Sequence, residues 1–253
     1  MQDLFSVAGK VALITGAAQG IGREMAIGFS RYGADIVAVD LNEEKLLGVK
    51  KEIEAANRRC LALRVDLGNV DEINKMTETA VREMGRIDIL ANIAGVNVHK
   101  MAEEMTEQDW DFVQDINLKS LFFCCQAVGK VMLKQGSGRI INMSSTFGVV
   151  GFAGRTAYAS SKAAVSNLTQ TLAIEWSARG INVNAIAPGP VWTPARDQLF
   201  SNPEFYNNLM TKLLIKRTAK PIDIVGPAIF LASEASAFMT GETMLVDGGW
   251  CAQ

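Results

Sequence analysis

Residues 11–32 read VALITGAAQGIGREMAIGFSRY, and the order of these residues decides the fold. A short run of apolar and β-branched residues, Val11–Thr15, passes straight into the turn Gly16-Ala17-Ala18-Gln19-Gly20-Ile21-Gly22. A stretch of helical period, Gly20–Tyr32, follows at once. Strand, glycine turn and helix in this sequence form the first half of a βαβ unit. Glycine suits the turn because the backbone must come close to a ligand, and a side chain would block the approach. The helix N-terminus adds free N–H groups and a positive dipole end, which together suit phosphate. A glycine-rich turn that holds nothing is the alternative, and the position between first strand and helix argues against it.

The same alternation continues along the chain. Val11–Thr15, Ile36–Asp40, Leu61–Asp66, Ile87–Ala91, Arg139–Met143, Asn182–Ala187 and Thr243–Asp247 have the character of strands. Gly20–Tyr32, Glu43–Asn57, Val70–Met84, Glu107–Lys134, Tyr158–Ala178 and Ile222–Leu231 carry helical periodicity. Several of the strands are apolar on both faces, as strands of a parallel sheet covered on each side must be. The expectation is an α/β fold: one Rossmann-like, doubly wound domain over residues 1–253, with about seven parallel strands between layers of helices. Pro188–Lys220 breaks the rhythm and holds four of the six prolines, Pro188, Pro190, Pro194 and Pro203. Such a stretch inside a compact domain predicts a lid over a site, at about residues 188–220.

Composition narrows the partners. The chain has 253 residues, 49% hydrophobic and 21% charged, with a net charge of -2. No basic field points to nucleic acid or an anionic membrane, so a small-molecule partner is expected. No apolar run reaches the ~18 residues that cross a bilayer. The opening residues lack the pattern of a secretory leader, and a cytoplasmic location is expected. Cys60, Cys124, Cys125 and Cys251 form no CxxC pair, and His99 is the one histidine. No metal site is expected, and the cysteines read as small reduced hydrophobes.

Two further patterns carry chemistry. Asp40 ends the second strand eighteen residues beyond Gly22. A carboxylate there accepts hydrogen bonds from the adenosine ribose and repels a 2′-phosphate, so the expected cofactor is NAD rather than NADP. Leu41 and Asn42 supply no arginine to offset that repulsion. Asp40 also suits the N-cap of the helix that starts at Glu43. In AYASSKAAV, Tyr158 and Lys162 stand four residues apart on one helix face. An ammonium beside a phenol favours the phenolate, which can take a proton from an alcohol or return one to a ketone. Ser145, thirteen residues before Tyr158 and at the end of a strand, can donate a hydrogen bond to the same substrate oxygen.

Together these motifs resemble the short-chain dehydrogenase/reductase family of the non-extended type, over nearly the whole length. TGAAQGIG is similar to the family's cofactor loop, with Gly16, Gln19, Gly20, Ile21 and Gly22 as the matching residues. Asp66-Leu67 resembles its adenine-contacting pair, and Asn92-Ile93-Ala94-Gly95 its Asn-Asn-Ala-Gly segment. Ile93 departs from that pattern and is expected to soften the hydrogen bonding of the fourth strand. Asn117 in DINLKS, Ser145, Tyr158 and Lys162 resemble the catalytic tetrad. Pro188, Gly189, Val191 and Thr193 resemble the segment whose threonine holds the nicotinamide carboxamide. The resemblance implies that the tyrosine is the acid/base and that the serine orients the substrate. It implies that the lysine also grips the nicotinamide ribose, and that the asparagine carbonyl holds a water leading from the lysine to solvent. A homotetramer is implied too, with one contact through Glu107–Lys134 and the next helix, and a second through the C-terminal VDGGW strand.

The substrate is less legible. His99, Lys100 and Arg155 flank the expected site and could meet a polar or acidic substrate; each could equally be a solvated or ion-paired surface residue. Trp192, Phe200, Phe205, Tyr206 and Met210 could close as a lid or serve as ordinary packing. GVNVHKMAEEMTEQDW, SNPEF and TGETMLVDGGW resemble the sugar-acid branch of the family, the gluconate and deoxygluconate dehydrogenases. The expected reaction is therefore hydride transfer between a nicotinamide and the alcohol or ketone of a sugar, polyol or sugar acid. Two rivals stand beside it: a 3-oxoacyl thioester reductase, and a non-catalytic NAD-binding regulator on the same fold. The first usually wants NADPH, which Asp40 disfavours, and the second has no need of a polarised tyrosine.

Overall fold

The structure, a computed structural model, describes residues 3–252. Seven strands, β1 (Val11–Thr15), β2 (Asp35–Asp40), β3 (Cys60–Arg64), β4 (Ile89–Asn92), β5 (Gly138–Met143), β6 (Ile181–Pro188) and β7 (Thr243–Val246), form one sheet. Every pairing is parallel, in the order β3-β2-β1-β4-β5-β6-β7. The chain winds outward from β1 to β3, then crosses back to place β4 on the other side of β1. The expected α/β Rossmann-like fold is the one observed.

Alternation within single strands fixes the two layers. Ala12 and Ile14 of β1 pack on one face with α1 (Gly20–Arg31) and α2 (Glu43–Ala55). Val11 and Leu13 pack on the other face with α3 (Val70–Met84). Successive side chains of a strand point to opposite faces, so a strand apolar throughout needs helices on both. Each fully buried Leu or Ile contributes roughly 1.5–3 kcal/mol of transfer free energy, which makes these two layers the main source of stability.

Glu107–Lys134 was expected as one helix. It consists of α4 (Glu107–Gln114), a π-helical turn Asp115–Lys119, and α5 (Ser120–Gln135). Thr106 and Asp109 build a capping box at its start. By length and composition alone, Glu107–Gln135 is long and apolar enough to cross a membrane; half of its most apolar window is buried in the fold. Cys124, Cys125, Val128 and Met132 account for that burial against the sheet, which is the behaviour of a core helix.

α6 (Thr156–Trp176) follows and begins two residues earlier than the periodicity suggests. Pro188–Lys220 is not the irregular segment it was expected to be. It holds α7 (Asp197–Phe200) and α8 (Pro203–Thr211). Asn202 caps α8 by accepting from the Phe205 N–H, and Pro203 occupies the first turn, where a missing N–H costs nothing. α9 (Ile222–Ala232) packs against α1 on the first face of the sheet.

Candidate active site

β1 and β4 are neighbours whose crossover connections leave in opposite directions, and their carboxyl ends open a crevice between the loops that follow. Gly16 at the end of β1 faces the loop after β4 so closely that a Cβ on it would lie 3.0 Å from the Cα and N of Ala94. A Cβ on Gly22 would lie 2.1 Å from the Gly16 carbonyl oxygen, which no side chain can occupy. The turn therefore has room for backbone only. Gln19, the N-cap of α1, makes no side-chain cap, and the first turn of α1 carries no acidic residue. The helix end thus keeps its donors and positive field for an anion. Thr193 comes from the opposite side: a Cβ on Gly20 would meet its methyl group at 3.4 Å.

These residues fit a dinucleotide. Asp40 lies at the end of β2, with one carboxylate oxygen accepting from the Ala18 N–H (3.0 Å) and the other from the Asn42 N–H (3.0 Å). It is not the cap of α2; Asn42 is, accepting from the Lys45 N–H. Lys45, which drew no notice in the sequence, reaches back to the turn and donates to Gln19 Oε1 at 2.9 Å. Asp66 accepts from the Gly68 N–H, and Leu67 is buried in the second core layer. The Asn92 side chain turns inward, donating to Asn142 Oδ1 and Cys125 Sγ, so only its backbone faces the crevice. Ile93 does not soften β4. Thr15 still pairs with Asn92, and its hydroxyl accepts from the N–H groups of both Ile93 and Ala94.

The reacting groups gather at the ends of β4 and β5. Lys162 is 2% exposed, and its Nζ donates to the Met143 carbonyl at 2.8 Å and lies 5.7 Å from the Tyr158 ring centre. Burial pulls the Lys162 ammonium below its ordinary pKa, and the charge of Tyr158 acts in the other direction. Ser145, just past β5, is 7% exposed, and its Oγ accepts from the Phe147 N–H. Asn117 sits inside the π-turn. Its amide oxygen accepts from the Val96 N–H (2.7 Å), while its amide nitrogen donates to the Val96 carbonyl and to Ser161 Oγ. A Cβ on Gly95 would press on both Asn117 Oδ1 (3.1 Å) and Lys162 Nζ (3.4 Å). The structure thus places Asn117, Tyr158 and Lys162 around one corner, with Ser145 at the strand end beside it. The parts played by the Met143 carbonyl and Ser161 were not read from the sequence. Ser161 adjoins Lys162 in SSK, and that adjacency was the available signal.

The flanking residues separate from one another. Lys100 is spent on Asp109, with Nζ 2.5 Å from the carboxylate. Lys100 and the Thr106 hydroxyl together hold the Asp109 carboxyl down at about 2. His99 is exposed and packs on Gly154. Arg155 is half-buried, and its Nε is buried without a hydrogen-bond partner. Trp192 donates its indole N–H to Asp197 Oδ1 (3.0 Å) and packs against Phe200 and Tyr206. It belongs to an apolar cluster with Leu209, Leu213, Trp250 and Phe147, over the end of β6. Pro188 accepts a hydrogen bond from the Thr146 hydroxyl, Gly189 lies flat against Asp247, and Val191 is buried. Burial pushes the Cys60 and Cys124 thiols up to about 12.

Comparison with known proteins agrees with this geometry. The family model described as enoyl-(acyl carrier protein) reductase matches residues 16–251. The 2-dehydro-3-deoxy-D-gluconate 5-dehydrogenase of Dickeya dadantii (strain 3937) is 41% identical over 252 residues, covering 99% of both chains. The NAD-dependent glycerol dehydrogenase of Listeria innocua serovar 6a is 38% identical over 246 residues, 97% of this chain and 95% of that one. Among solved structures, a gluconate 5-dehydrogenase from Burkholderia cenocepacia J2315, in complex with NADP and tartrate, superposes with a TM-score of 0.96 at 32% identity. That match covers 99% of this chain and 98% of the other.

Proposed function

The chain belongs to the short-chain dehydrogenase/reductase family and is an oxidoreductase acting on CH–OH groups with a nicotinamide dinucleotide; on that premise we propose that it is NAD-dependent and that its substrate is a sugar, polyol or sugar acid. The observation that carries the reading is the buried ammonium of Lys162 beside the Tyr158 ring, at the carboxyl edge of the sheet next to the glycine turn. A buried charge is costly, and a fold that keeps one has a use for it.

A bound nicotinamide would supply the hydride acceptor or donor for the substrate carbon. Tyr158 takes the hydroxyl proton during oxidation and returns it during reduction. Ser145 donates to the same oxygen and fixes its direction. The Lys162 ammonium favours the phenolate and is placed to bond the nicotinamide ribose. The Asn117 side chain is engaged by Val96 and Ser161. Its backbone carbonyl, in a turn where the regular helical ladder is broken, is then the group for a water that passes protons outward. The glycine turn with the N-terminus of α1 holds the pyrophosphate, and Thr193 holds the carboxamide. Residues 188–220 act as the lid, with the cluster around Trp192, Phe200 and Tyr206 excluding water.

Support for NAD comes from Asp40, whose carboxylate would sit against a 2′-phosphate. Lys45, tied to Gln19 beside the turn, supports the second reading, NADP, as does the NADP bound to the Burkholderia relative. The kcat/KM values for the two cofactors decide between them. NAD is expected to be preferred; an NADP preference that disappears in Lys45→Ala would contradict the Asp40 argument. For the substrate, a panel of sugar acids, polyols and apolar ketones is followed by NADH formation. Turnover among the hydroxylated compounds is expected, and activity confined to steroids or bulky apolar ketones would end this reading.

A cytoplasmic homotetramer completes the proposal. Trp110 and Phe112 on α4, and Phe238 and Leu245 near the C-terminal strand, expose large apolar surface on two separate parts of the molecule. Surfaces of that kind suit two different subunit contacts.

A further inference from the structure

The cations flanking the substrate end of the site are not equivalent. Lys100 is neutralised by Asp109. Arg155 and Arg196 have no carboxylate partner among the described residues. Arg155 is the N-cap of α6, one helical turn before Tyr158, and a backbone bridge to Lys100 ties it to the loop after β4. A Cβ on Gly154 would lie 2.5 Å from His99 Nε2, so that loop closes tightly over residue 154 and holds residue 155 in place. Its Nε is buried and bonded to nothing in the protein. Burial and the nearby charge of Arg196 both pull the Arg155 guanidinium below its ordinary pKa, and Tyr158 acts in the opposite sense. Asp197, next to Arg196 in the chain, accepts from the Trp192 indole instead.

A half-buried guanidinium with no carboxylate partner costs free energy, and an arriving anion offsets that cost. The planar fork of an arginine suits a carboxylate, and the Arg155 guanidinium has no carboxylate of the protein to occupy it. A carboxylate on Arg155 would leave the rest of a short polyhydroxy chain extending one helical turn toward the Tyr158 hydroxyl. We propose that Arg155 binds the carboxylate of the substrate, so that the enzyme selects sugar acids over the matching uncharged polyols. This inference rests on the dehydrogenase reading above and narrows it to anions.

The test uses the full-length protein with NAD and a panel of matched pairs, C4 to C6 aldonates against the alditols of the same length and configuration. Two readouts are taken: the kcat/KM ratio of acid to polyol, and equilibrium binding of the acids to the protein–NAD complex. The parent is expected to favour at least one acid by tenfold to about 100-fold, the range of a charge-assisted bond. Arg155→Met should collapse that ratio toward one, chiefly through KM, and Arg155→Lys should restore part of it. NADH affinity, measured on each variant, reports that the fold is intact. An acid-to-polyol ratio equal in parent and Arg155→Met, or no acid favoured in any pair, overturns the proposal. The two readings fail separately. Binding of acids that depends on Arg155 without hydride transfer would sink the dehydrogenase reading and leave the anion site. Oxidation of polyols and acids alike, indifferent to Arg155, would sink the anion site and leave the dehydrogenase.

Discussion

Lys162 carries a positive charge where almost no solvent reaches it, with one carbonyl as its hydrogen-bond partner. If the proposed role of Lys162 holds, the protein keeps this charge for chemistry, and stability should show the cost. Lys162→Met is expected to reduce turnover by 10³-fold or more while raising the unfolding free energy at pH 7 by ~1–3 kcal/mol. The sign of the pH dependence follows from the lowered pKa of the folded state. Between that value and the ordinary ~10.4 the unfolded chain binds more protons, so the stability of the parent rises with pH. The advantage of the methionine variant should therefore shrink as pH climbs toward ~10. Urea unfolding of both proteins at two pH values measures it, and a gap that widens with pH would contradict the account. At this scale the sequence was legible wherever chemistry is local. Tyr158 and Lys162 share a face because a helix repeats every 3.6 residues. It was not legible which of Lys100 and Arg155 is free, because the Asp109 that consumes Lys100 is brought to it by the fold of the loop after β4.

Among the elements, the turn between β1 and α1 has the least tolerance. Gly22→Ala would place a methyl group 2.1 Å from a backbone oxygen, so the start of α1 must move. NADH affinity, followed by fluorescence titration, is expected to fall by about 100-fold or more, and a variant binding as the parent does would show that the turn does not hold the cofactor. The π-turn is the second such element. Asn117→Ala leaves the Val96 N–H and carbonyl without their partners, which should cost ~1–3 kcal/mol in urea unfolding. Turnover should fall with it, since Val96 begins the loop over the site; unchanged stability would mean that water replaces the amide at no cost. The strand–turn–helix unit could be read from residues 11–32 because every contact in it is between near neighbours. The π-turn could not, since one extra residue in a helical ladder leaves the apolar pattern of Glu107–Lys134 nearly unaltered. α8 could have been found, because Asn202-Pro203 is a cap followed by a first-turn proline. The proline count hid it by suggesting a loop.

For the whole molecule, the alternation of strand and helix with right-handed crossovers gives a doubly wound parallel sheet, while the order β3-β2-β1-β4-β5-β6-β7, with its reversal at β1, is visible only in the structure. The crevice at β1 and β4 follows from that order, and so does the meeting of a turn at residue 16 with a loop at residue 94. On the proposed tetramer, the apolar surface at Phe238, fully exposed in the single chain, is a subunit contact. Light scattering is expected to give the mass of four copies for the parent and a smaller species for Phe238→Asp, and a monomeric parent would contradict the proposed tetramer. The account as a whole depends on one proton being handled by one hydroxyl beside a bound nicotinamide. The direct measurement is kcat of Tyr158→Phe on the best substrate of the panel, with NADH affinity determined on the same preparation. A loss of 10²- to 10⁴-fold in kcat with NADH binding within a few-fold of the parent is predicted; turnover within a few-fold of the parent would contradict it.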